Sequence, residues 1–162
     1  MVERDQQAVL RDSAFRRGRI ECVYLTSFAS ESSFLSSVLQ YSGVRMHAAR
    51  SLDEADFLLT VTGGTAFLTD TMFFDGCWRD ALEMAVQMHP LAASLVVADP
   101  VDRPFLAGVY ERGALAVLWK PFDFTREIRM IHTADQAARE RALWLEEMHG
   151  PRASYSISKA TY

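Results

Sequence analysis

The run TAFLTD (65–70) ends on Asp70, and ALAVLW (114–119) is followed at once by Lys120-Pro121. A carboxylate closing an apolar stretch is costly unless something neutralises or uses it. A carboxylate can attack a phosphoryl group or ligate a cation, and an ammonium can hold the oxygens being transferred. Asp70 and Lys120 have the types for that chemistry. Other polar groups close the neighbouring apolar runs: Thr26-Ser27 after IECVYL, and Asp99 after SLVVA. Asp99-Pro100 also reads as the start of a loop, and Asp75-Gly76 as turn chemistry.

Whether these groups meet depends on the elements that carry them. Short apolar runs alternate with segments of helical period. IECVYLT (20–26), VRMHAA (44–49), TAFLTD (65–70), SLVVAD (94–99) and ALAVLW (114–119) read as strands. Helices are predicted over 30–43, 51–64, 77–90, 101–113 and 125–148. Ser51 with Glu54 forms a capping box, while Gly43, Gly64, Pro90 and Gly113 supply stops. Strands apolar on both faces, each followed by a helix, imply an α/β fold with a parallel sheet covered on both sides. In such sheets functional groups gather beyond the carboxyl ends of the strands. Thr26, Ser27, Asp70, Asp99 and Lys120 are therefore expected at one edge, with Lys120 facing Asp70 as an ion pair.

Composition narrows the function. At 162 residues, with 49% hydrophobic and 23% charged residues, the chain fits one soluble globular domain. A net charge of −4 does not suggest nucleic-acid binding, and FRRGR (15–19) reads as a solvated linker. No apolar run reaches the ~20 residues needed to span a bilayer. The N-terminus lacks the apolar core of a signal peptide. Cys22 and Cys77 fit no metal or redox spacing, and the four histidines form no ligand motif. A cytoplasmic protein is expected.

LTDTMFFDG (68–76) and ERGALAVLWKPFD (111–123), at their mutual spacing, resemble the response-regulator receiver domain of two-component signalling, over roughly residues 19–135. The resemblance implies a doubly wound, five-stranded, flavodoxin-like receiver fold, here with an extended C-terminal helix. It implies further that Asp70 is the phosphoacceptor position and that Lys120 binds the carboxylate and then the phosphoryl oxygens. A histidine kinase or another signalling protein is the implied partner. Four positions depart from the family pattern. Thr26 and Ser27 stand where an acidic pair would hold Mg²⁺, Ala98 where a hydroxyl would contact the phosphoryl group, and Val117 where an aromatic switch residue would sit. Two hydroxyls replace carboxylates poorly around Mg²⁺, so no cofactor is expected and Mg²⁺ binding should be weak or absent. Asp99 is the one candidate for a replacement acid. These changes weigh against phosphorylation at Asp70 and leave a residual ion pair as the alternative.

Competing chemistries are less well supplied. A phosphatase of the D-x-D type would need an acid where Met72 stands. The hydroxyl-rich LTSFASESS (25–33) suggests a flavodoxin-like phosphate or small-ligand site, but contains no glycine to bring backbone amides onto an anion. An enzyme is not expected.

The last helix, about 36 Å long at ~1.5 Å per residue, exceeds what a small sheet needs. Ile128, Ile131, Ala138, Ala142 and Leu145 follow an a/d rhythm interrupted by Asp135, and Trp144 and Met148 add apolar surface. This predicts a homodimer through the C-terminal helix, unless QQAVLRDSAF (6–15) covers the stripe. The expected organisation is an N-terminal extension (1–18), a receiver-like domain (19–137), and an extension of the last helix with a flexible tail (138–162).

Overall fold

The computed structural model describes residues 19–159, with side chains as far as 149. The N-terminal extension (1–18), including QQAVLRDSAF, lies outside the described residues, as do positions 160–162 of the tail.

A five-stranded parallel sheet in the order β2-β1-β3-β6-β7 forms the centre. Its strands are β1 (Ile20–Leu25), β2 (Val44–Ala49), β3 (Ala66–Asp70), β6 (Ala93–Ala98) and β7 (Ala114–Trp119). Helices α1 (Ala29–Leu39), α2 (Leu52–Thr62), α3 (Trp78–Met88) and α4 (Phe124–Lys159) cover it. Successive residues of β1 point to opposite faces, so Tyr24 joins a core with Leu35, Leu39, Leu68 and Ile131. Val23 and Leu25 join the other core, with Ala55, Leu59, Phe67 and Ala81. The fold is the doubly wound α/β arrangement that the apolar runs imply.

Local signals set the helix ends. Ser51 Oγ accepts the amide of Glu54 at 3.1 Å, and the Glu54 carboxylate accepts the amide of Arg50. The expected box is thus displaced by one residue. Gly63 closes α2 with φ 64°, a conformation that favours glycine. Between β3 and α3 a small antiparallel hairpin pairs β4 (Met72–Phe73) with β5 (Gly76–Cys77). Phe74 and Asp75 form its turn, as the Asp-Gly signal suggests. The Asp75 carboxylate accepts the Leu52 amide, placing negative charge at the start of α2.

The helix expected over 101–113 does not form. Residues Pro100–Leu106 make a 3₁₀ segment, and turns follow to Gly113. Pro104 has no N–H to donate, and Gly108 adopts φ 79°, so an α-helical ladder cannot run through.

Helix α4 runs past Met148, where the sequence pattern stops it, to Lys159, so 150–159 are helical rather than loose tail. Asp135, which interrupts its apolar rhythm, is held by Thr65 Oγ1 at 2.5 Å and by Arg139 Nε at 2.8 Å. Among the described residues no helix is long and apolar enough to cross a membrane.

Candidate functional site

β3 delivers Asp70 to the carboxyl edge of the sheet, between β1 and β6. The residue is only 4% exposed. Tyr24, on the adjacent strand, donates its hydroxyl to Oδ1 at 2.5 Å. Thr26, just past the end of β1, donates Oγ1–H to Oδ2 at 2.5 Å and accepts the Phe28 amide at 3.1 Å. Each carboxyl oxygen therefore already has a hydroxyl donor.

Burial pushes the Asp70 carboxyl above the ordinary aspartate range. The Thr26 and Tyr24 hydrogen bonds and the Lys120 charge pull it back down, and the Glu31 charge pushes it up. Tyr24 is pushed well above the usual phenol range, first by burial and then by the neighbouring Asp70 charge. Both groups thus resist ionisation more than they would in water.

Lys120, just past the end of β7, does not form the expected pair with Asp70. Its Nζ lies 2.8 Å from Glu31 Oε2, on the first turn of α1, and 5.5 Å from the centre of the Phe28 ring. Its backbone amide donates to the Ala98 carbonyl at 2.8 Å, which fixes where the side chain starts. Glu31 captures the ammonium because α1 begins beside the same edge, where the ion pair stays partly hydrated. Asp70 is satisfied by hydroxyls instead.

The remaining expected residues are distributed around this centre. Ser27, Asp99, Asp70 and Lys120 line one pocket of about 410 Å³, with Phe28, Met72, Phe74 and Val97 among its walls. Ser27 is exposed. Asp99 is exposed at the lip, and its carbonyl accepts the Asp102 amide as the 3₁₀ segment begins, the loop role of an Asp-Pro pair. Ala98 is buried against Trp78 and Val96 and offers no hydroxyl. Val117 lies lower on β7, half-buried against the same cluster. Among the described residues no group of three or more His, Cys, Asp or Glu side chains is placed to hold a metal ion.

Tyr24, Phe28 and Glu31 are site residues that sequence reasoning missed. Tyr24 is two positions before Thr26, hence on the same strand face, and this spacing could have revealed it. Glu31 falls within the 25–33 loop considered for phosphate, where its charge would repel an anion.

No protein-family model and no curated protein matches the sequence. Solved structures of receiver domains do resemble the fold. A response-regulator receiver domain protein from Clostridium thermocellum is 17% identical, with a TM-score of 0.68 over 76% of this chain and 98% of that one. The signal receiver domain of an HD domain-containing protein from Pseudomonas fluorescens Pf-5 is 16% identical, at 0.68 over 77% and 93%. The receiver domain of NtrX from Brucella abortus is 15% identical, at 0.66 over 71% and 98%. The chain has the receiver fold.

Proposed function

We propose that this protein is an atypical receiver-like module of two-component signalling, working in the cytoplasm through protein contacts rather than catalysis. One observation carries the reading. Both oxygens of Asp70 are capped by the Tyr24 and Thr26 hydroxyls, while Glu31 holds the lysine that would meet a phosphoryl group. A nucleophilic carboxylate needs free, ionised oxygens and a cation beside them. Burial without a paired ammonium works against ionisation.

The donor set does not suit Mg²⁺, which favours carboxylate charge in an octahedral oxygen shell. Thr26 offers a hydroxyl already used twice, Ser27 is neutral, and Glu31 is engaged with Lys120. On this reading, phosphorylation of Asp70 is doubtful as the signal, and Mg²⁺ binding is weak or absent. The partners are a histidine kinase or another signalling protein and, through α4, a second copy of the chain.

Incubation with a small acyl-phosphate donor and Mg²⁺, followed by intact mass measurement, tests this reading. The expected result is no phosphoryl adduct above that of Asp70→Asn. A stoichiometric adduct lost in Asp70→Asn would overturn it.

A further inference from the structure

The apolar rhythm of α4 divides between two faces. Ile131, Ala134 and Ala138 are buried, and Ala142 and Leu145 are half-buried on the same side. That side carries the interactions with the sheet and with Thr65. Leu143, Trp144 and Met148 are 60%, 58% and 52% exposed, and are not part of it. At ~100° of rotation per residue, Trp144 points about 130° away from the centre of the sheet-facing side. Met148 lies about 40° from the Trp144 line.

The charges beside this line are ordered. Glu140 lies about 40° to one side of Trp144 and Arg141 about 60° to the other, nearly at the same height. Glu147 lies on the flank of Glu140, and Met148 on the flank of Arg141. A two-fold axis parallel to the helix brings opposite flanks together, so Glu140 of one copy meets Arg141 of the other, twice. Antiparallel pairing centred on Trp144 brings like flanks together and sets Glu140 against Glu147. Arg141 donates Nη1 to the Pro90 carbonyl at 2.8 Å, leaving its other guanidinium nitrogens for a carboxylate.

The helix continues to Lys159, beyond this last polar tie to the domain among the described residues. Helices gain most of their stability from packing, so a helix face with an exposed Trp and Met is suited to a mate.

We propose that a second copy of this chain docks on this face, the two α4 helices running parallel with Trp144 packed across the two-fold axis. This rests on the contact-based reading above and specifies the orientation of the pairing.

Sedimentation equilibrium of the full chain at tens of micromolar tests the proposal. The wild type is expected to be a dimer, and Trp144→Glu a folded monomer with an unchanged helical signal. Glu140→Arg should weaken the dimer about tenfold, with two ion pairs replaced by like charges. Adding Arg141→Glu should restore it. A monomeric wild type, or a Trp144→Glu dimer of undiminished affinity, would overturn the proposal. A dimer tightened by Glu140→Arg would overturn the parallel orientation while leaving self-association intact. The acyl-phosphate experiment judges the Asp70 reading separately from all of these outcomes.

Discussion

Lys120 Nζ sits 2.8 Å from Glu31 Oε2, which makes the lysine a bridge between the end of β7 and the first turn of α1. Asp70 receives its hydrogen bonds from Tyr24 and Thr26 instead. The energetics of the site follow from this exchange of partners.

Lys120→Ala is expected to destabilise the fold only modestly, by about 0–1 kcal/mol. The lysine side chain is 17% exposed and that of Glu31 37%, so water replaces much of the lost attraction. Tyr24→Phe removes a hydrogen bond to a buried carboxyl and should cost about 1.5–3 kcal/mol. Urea unfolding of both variants makes the comparison. If Lys120→Ala were the costlier change, the Lys120–Glu31 pair would hold more of the site's stability than the Tyr24 hydrogen bond.

The pH dependence of stability should change in Asp70→Asn. Burial raises the folded-state pKa of Asp70, so the folded protein binds this proton more readily than the unfolded chain. The resulting stability is full below the unfolded value near ~3.9 and is lost as pH rises through the folded pKa. Asn does not titrate. The stability difference between Asp70→Asn and wild type should therefore shift in favour of Asn from acid to neutral pH. A difference that is flat with pH, or drifts toward wild type, would contradict the raised pKa.

Glu31→Gln removes the charge that pushes Asp70 up and frees the ammonium that pulls it down. The Asp70 carboxyl should then titrate at lower pH than in wild type, as read by ¹³C NMR of the side-chain carboxyl. An unchanged midpoint would show that neither the Glu31 charge nor the released Lys120 ammonium acts on Asp70.

Trp119, adjacent to Lys120 and stacked under the Arg103 guanidinium at 5.1 Å, offers a fluorescence reporter near the pocket. Titration with Mg²⁺ should produce no saturable change at low millimolar concentration. A saturable change abolished by Asp70→Asn would mean that the carboxylate sheds its hydroxyls to take the ion.

The sequence by itself determined the strands and the edge of the sheet where the polar groups gather. TAFLTD and ALAVLW become strands because burial on both faces is written in consecutive apolar residues, and their last positions place Asp70 and Lys120 at the same edge. Pro104 was also visible, and the break it imposes on the expected 101–113 helix follows from its missing N–H group. Tertiary structure decided which groups bond to which. Tyr24 and Thr26 reach Asp70 because β1 lies beside β3 in the register Tyr24↔Leu68 and Leu25↔Thr69, a non-local pairing that no single segment encodes. Glu31 reaches Lys120 because both stand at the carboxyl edge of the sheet and their long side chains meet over it, across 89 residues of chain. The same holds for α4, whose apolar rhythm was legible while its division into a sheet-facing side and an exposed side was not. A side chain's type and its period along the chain are local properties, whereas its partner depends on distances set only when separate elements pack.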